Sequence, residues 1–287
     1  MNPITRRTFI SGTAAACAAS RLRAEDNAAA TGLDFPLVDF HVHLDNSTID
    51  AVLALSKERG VKFGIVEHAG TKENKYPVVL SNDDELRRYL AMLEGKPVFR
   101  GIQAEFTDWM GCFSPNALAQ LDFVLSDAMS IRGPKGERIK LWEKGVEQRV
   151  DMSDPQAFMD RFVDWHVEIM ATEPLDILGN ASWLPAALMP DYDALWTPAR
   201  VRKVVDAAVR YGVALEISAS YKLPRLPFLK QARAAGVKFS FGSNGRYPKM
   251  GLIDYSIAMA KKLGLQRSDM FMPAADGRKA VQRRKLG

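Results

Sequence analysis

From residue 33 onward the chain alternates short apolar runs with longer amphipathic stretches. Runs of strand length occur at Phe35–Phe40, Lys62–Val66, Val98–Ala104, Leu121–Leu125, Leu175–Leu178, Val213–Ile217 and Val237–Phe241. Between most of them the apolar positions recur about every 3.6 residues, the helical period. That predicts helices over Ser47–Arg59, Asp83–Leu93, Pro155–Ala171, Pro198–Tyr211, Pro224–Ala235 and Met250–Leu263. Gly60-Val61, Gly212-Val213 and Gly236-Val237 each read as a glycine ending a helix and a valine entering a strand. Strands alternating with helices predict a parallel sheet, because parallel neighbours need crossover connections. Seven such strands predict an α/β fold, a parallel TIM-like barrel of the (β/α)7 type.

Chemistry in such a barrel sits at the C-terminal strand ends. The first strand runs into Asp39-Phe40-His41-Val42-His43, and side chains two apart share one side of a strand. His41 and His43 are two of only four histidines, and imidazole suits zinc, manganese or iron. The later ends carry Glu67-His68, Glu105, Ser126-Asp127, Gly179-Asn180, Glu216 to Ser220, and Ser243-Asn244-Gly245-Arg246. Any one of these polar groups reads equally well as a cap or loop residue; the set converging on one rim does not. His166, inside the helix predicted over Pro155–Ala171, reads as a packed or surface residue rather than a ligand. Residues 130–153 form a long loop on the same face, with Arg132, Lys135, Arg138, Lys140, Lys144 and Arg149. A basic lid over a metal site suits an anionic substrate, and a solvated loop balanced by Glu137, Glu143 and Glu147 suits the pattern equally.

Composition changes the picture mainly at the N-terminus. The 287-residue chain is 47% hydrophobic and 25% charged, ordinary for a globular domain. Thr5-Arg6-Arg7-Thr8-Phe9-Ile10 followed by an alanine-rich run resembles a twin-arginine export signal. Residues 1–32 are therefore expected to be a signal peptide and leader, with residues 33–287 a single domain in the periplasm or outside the cell. The run is too short for a membrane span. Cys17 is a weak candidate for a lipid anchor. Residues 1–24 carry Arg6, Arg7, Arg21 and Arg23 and no acids, so a chain cut after Ala24 keeps about +1 of the net charge of +5. That argues against a nucleic-acid partner. Without Cys17 only Cys112 remains, and no internal disulfide can form.

The ordered series of strand ends resembles the PHP superfamily, the polymerase and histidinol phosphatase domain, over residues 34–275. The likeness rests on Asp39-x-His41-x-His43, Glu67-His68, Glu105, Asp176-Ile177-Leu178-Gly179-Asn180, Glu216-Ile217-Ser218 and Phe241-Gly242-Ser243-Asn244-Gly245-Arg246. The resemblance implies a distorted (β/α)7 barrel, two or three divalent ions, and phosphoester hydrolysis by a metal-activated water. It places His41, His43, His68 and Glu105 at ligand positions, Glu105 as the bridge. Where the family carries further histidines and an aspartate, this chain has Asp127, Asn180, Asn244 and Arg246. Asparagine oxygen is a weak ligand and arginine is none.

The expected ligand set is thus His41, His43, His68, Glu105, Asp127, Asn180 and Asn244, holding one to three ions of zinc, manganese or iron. Glu105, Asp127 and Arg246 are the expected catalytic groups, with Arg246 on a small anionic substrate. Two other readings stay open: a degenerate barrel that binds an anion without turnover, and an amidohydrolase-like metal hydrolase. The second needs later histidines, and only His166 follows His68.

Overall fold

A computed structural model describes residues 31–45, 47–105, 109–274 and 278–283. Residues 1–30 of the expected leader, with Arg6, Arg7 and Cys17, lie outside the described residues. The strands, in chain order, are β1 (Val38–His43), β2 (Lys62–Ala69), β3 (Val79–Leu80), β4 (Phe99–Ala104), β5 (Phe123–Asp127), β6 (Ser130–Arg132), β7 (Arg138–Lys140), β8 (Ile177–Gly179), β9 (Ala214–Ser218), β10 (Phe239–Gly242) and β11 (Gly245–Arg246). β1, β2, β4, β5, β8, β9 and β10 pair in parallel, and β1 pairs with both β10 and β2 to close a seven-stranded barrel.

Each of the seven apolar runs is a strand of this ring, displaced by one to three residues toward the C-terminus in five cases. The displacement has one cause. The leading residues, such as Leu121, Leu175 and Val237, are buried without joining the ladder, while the strands continue into polar residues on the rim. β1 is the extreme case, since its second half is His41-Val42-His43.

The outer layer is helical: α1 (Ile49–Arg59), α2 (Asp83–Leu93), α3 (Pro155–Thr172), α4 (Pro198–Tyr211), α5 (Leu226–Ala234) and α6 (Asp254–Leu263). Local chemistry sets their limits. Thr48 caps α1 by accepting from the Ala51 amide, and Gly60 ends it at φ 61°. Asn82 caps α2, and Asp83, Asp84 and Glu85 place negative charge on its positive end. Between β4 and β5 a four-residue helix, Pro115–Leu118, stands in for a full crossover. The stretch after β5, expected as an irregular loop, contains the antiparallel hairpin β6–β7.

Most apolar side chains lie between barrel and helices, whereas Val38, Phe40, Val66, Phe123, Leu125, Ile177 and Ala214 form a separate cluster. Phe123 fills much of its space, and a Cβ on Gly101 would sit 2.5 Å from its ring. Burying each such phenylalanine contributes roughly 1.5–3 kcal/mol. That apolar plug is the base on which the polar rim stands. Among the described residues, no helix is long and apolar enough to cross a membrane.

Candidate metal centre

A register shift in β1, between Asp39 and Val42 opposite β2, decides which side chains reach the rim. Phe40 belongs to the apolar plug, yet His41 meets Gln103 of β4 and Glu216 of β9. In a regular strand, neighbours would face opposite ways; the irregularity turns both inward. Asp39 faces the other way and accepts from the Ser243 and Gly251 amides, tying β1 to the turn after β10.

His41 is fully engaged. Its Nδ1 lies 2.8 Å from Glu216 Oε1 and its Nε2 2.9 Å from Gln103 Oε1. Burial disfavours its charged form, but the Glu216 charge and hydrogen bond outweigh that and raise its pKa. Glu216 Oε2 accepts from the Asn180 amide at 2.8 Å, and Asn180 Nδ2 donates to Asp127 Oδ2 at 2.9 Å. Gly242 makes room for this carboxylate, since a Cβ there would lie 1.6 Å from Glu216 Oε1. Burial, first of all, raises the Asp127 pKa to about 6.

Around β1 and β2 the pattern inverts. Among the described residues, no hydrogen-bond partner within 3.5 Å meets either ring nitrogen of His43, Asp45 Oδ1, Glu67 Oε2 or His68 Nε2, and all five atoms are buried. One ligand atom from each of His43, Asp45 and Glu67 lies within 4.8 Å of the other two. Glu67 Oε1 accepts from the Leu44 and Asp45 amides at 2.8 and 3.1 Å, which leaves its second oxygen toward the cluster. Burial, reinforced by the Asp45 charge, raises the Glu67 pKa to about 7. Burial also pushes His43 well below the usual histidine range, so its imidazole is neutral. A neutral imidazole beside two crowded carboxylates, all with unused lone pairs, fits a divalent cation. His68 stacks on His43 at 4.6 Å, outside that triad, and its Nδ1 is held by Glu105 Oε1 at 2.7 Å.

The remaining expected residues line the approach. Arg246, half exposed, pairs through Nε with Asp45 Oδ2 at 2.8 Å and through Nη1 with Asn244 Oδ1 at 3.1 Å. Asp45, Asn180 and Asn244 all have positive φ, between 45° and 50°, where the chain turns out of β1, β8 and β10. Asparagine and aspartate tolerate that region better than most residues. A cavity of about 230 Å³ opens beside them, lined by His68, Tyr76, Asp127, Trp142, Tyr221 and Arg246 among others. His166 is buried in α3, donating from Nδ1 to the Phe162 carbonyl at 2.6 Å and packing on the Phe162 and Trp196 rings.

The geometry thus brings His41, His43, His68, Glu105, Asp127, Asn180, Asn244 and Arg246 to one end of the barrel. Asp45 and Gln103 were not singled out by the sequence, and Glu67 and Glu216 were noted only as rim residues. Asp45 had one signal: it continues the two-residue spacing of His41 and His43.

A solved structure shares this architecture. The histidinol phosphate phosphatase of Lactococcus lactis, complexed with zinc, L-histidinol and phosphate, superimposes with a TM-score of 0.56 at 10% identity, over 86% of this chain and 98% of that one. An HpcH/HpaI aldolase from Desulfitobacterium hafniense covers 76% of this chain and 89% of its own at 14% identity, with a TM-score of 0.35, too low to bear on the fold. No protein-family model matches the sequence, and no curated protein does. At such identity the likeness to the phosphatase is one of fold alone, a closed parallel barrel with helices around it.

Proposed function

We propose that the protein is a metal-dependent hydrolase of a small phosphoester, with one divalent ion held by His43, Asp45 and Glu67. The observation that carries this reading is the cluster of buried, unpartnered ligand atoms beside the Arg246 guanidinium. A zinc, manganese or iron ion bound there supplies Lewis acidity and a water of lowered pKa. Arg246 meets the phosphoryl oxygens in the cavity with its half-exposed guanidinium, which Asp45 and Asn244 hold in place. Asp127, on the cavity wall and protonated below about pH 6, donates to the leaving oxygen. His41 and Glu216 position Asp127 through Asn180 and do not touch substrate. Export through the twin-arginine route, to the periplasm or beyond, completes the reading and is checked by fractionating cells that express Arg6→Lys, Arg7→Lys.

Elemental analysis of protein purified without chelator, beside His43→Ala, tests the centre. Bound metal and phosphoesterase turnover, both lost in the variant, are expected. A second reading, an anion-binding barrel without turnover, draws on the engaged nitrogens of His41 and the neutral Asn180 and Asn244. Phosphate binding that survives His43→Ala, with no metal and no turnover, selects it instead.

A further inference from the structure

Glu105 is 1% exposed, and both of its oxygens are occupied. Oε1 holds His68 Nδ1, and Oε2 pairs with Arg138 Nη1 from strand β7 of the hairpin. The Arg138 guanidinium, 9% exposed, is ringed by oxygens: Glu105 Oε2, Asn74 Oδ1, the Tyr76 hydroxyl at 3.2 Å and Ser130 Oγ at 3.4 Å. One carboxylate, one amide oxygen and two hydroxyls are the donor set a hard divalent cation prefers. The chain fills it with a cation of its own.

The hairpin that delivers this cation is fixed at several points. Arg132 of β6 pairs with Glu168 of α3 at 2.9 Å, and the Leu141 amide donates to the Met129 carbonyl at 3.0 Å. Lys140 stands 4.1 Å from the centre of the Tyr76 ring, which also stacks on the His68 ring at 3.4 Å. Arg138 is thus held in place by structure on both sides of it.

We propose that Arg138 is a tethered counter-cation that keeps Glu105 out of the ligand set and limits the centre to one divalent ion. This rests on the metal-centre reading above for the first ion only. Removing the guanidinium opens an oxygen cage of Glu105, Asn74, Tyr76 and Ser130 that accepts a manganese or magnesium ion. The first ion, on His43, Asp45 and Glu67, is unaffected because it shares no atom with that cage.

The test is titration with Mn²⁺, followed by loss of the free-ion electron paramagnetic resonance signal, in the full chain and in Arg138→Ala and Glu105→Gln. One ion per chain is expected in the parent, a doubling in Arg138→Ala, and no change in Glu105→Gln. Mn²⁺ should also raise the melting temperature of Arg138→Ala more than that of the parent. Two ions in the parent, one in a folded Arg138→Ala, or loss of the ion in Glu105→Gln overturns the proposal. The Glu105→Gln arm decides it even where Arg138→Ala does not fold. A parent that binds none beside an Arg138→Ala that binds one would sink the metal-hydrolase reading and leave this inference standing. None in either sinks both.

Discussion

The two sides of the barrel rim carry similar residues and treat them oppositely. On the side of β9, β8 and β5 the ionisable groups are engaged, His41 with Glu216, Glu216 with the Asn180 amide and Asp127 with the Asn180 side chain, and the buried atoms without a partner among the described residues are neutral ones, Ser126 Oγ, Asn180 Oδ1 and Ser218 Oγ. On the side of β1 and β2, His43, Asp45, Glu67 and His68, all ionisable, each keep at least one buried atom without a partner among the described residues. Buried polar groups normally find partners, because an unmet one costs roughly 1–3 kcal/mol. Several together, in one place, mark where an external partner belongs. Residue type alone does not separate ligand from scaffold: His41 and His43 are two positions apart and play different parts.

The sharpest way to break this contrast is to exchange the roles. His43→Ala should abolish metal binding, exceeding the roughly 10–100-fold affinity loss typical of an outer partner, while His41→Ala keeps the ion; elemental analysis of both decides. Glu216→Ala should leave the buried His41 ring and the Asn180 amide without their carboxylate and cost about 3–5 kcal/mol of stability with metal content intact, read from urea unfolding and elemental analysis together. Metal loss at an unchanged unfolding midpoint would reverse the assignment of the two sides.

His166 supplies a control outside the rim. Burial lowers its pKa to about 4, against an ordinary value near 6.5, so the folded state holds it neutral. Below 6.5 the unfolded chain binds the proton first. Stability is therefore whole above that pH and falls between about 6.5 and 4, by about 3 kcal/mol. His166→Gln should flatten that part of the stability–pH curve, and an unchanged slope would discard the argument. The smallest effect is expected at Arg246→Gln, a rise in KM of about tenfold, equal to roughly 1.4 kcal/mol, with kcat less affected. Steady-state kinetics on any accepted phosphoester measures it.

The barrel was legible because its physics is coarse. Seven apolar runs with helical spacers leave few alternatives, and the predicted Asp83–Leu93 and Pro198–Tyr211 helices match α2 and α4 residue for residue. The rim was legible as a location, since strands such as β1 and β5 end in His43 and Asp127. Its wiring was not. Hydropathy says nothing of the register shift that turns His41 and Phe40 to the same side. Asp45 lies past the strand, in a left-handed turn at φ 45°. Gln103 is uncharged and precedes the last residue of β4, where no charge or spacing rule singles it out. Arg138 looked like one cation among six in a surface loop, and only the hairpin brings it to Glu105.

Trp142 gives the site an optical handle. Of the five tryptophans, Trp109, Trp165, Trp183 and Trp196 are buried, whereas Trp142 is 41% exposed on the wall of the rim cavity. The red edge of the intrinsic fluorescence, and its share open to an aqueous quencher such as iodide, therefore report on the cavity mouth. A compound that enters the cavity shields that ring, so candidate substrates can be ranked by quencher protection before any turnover is detected.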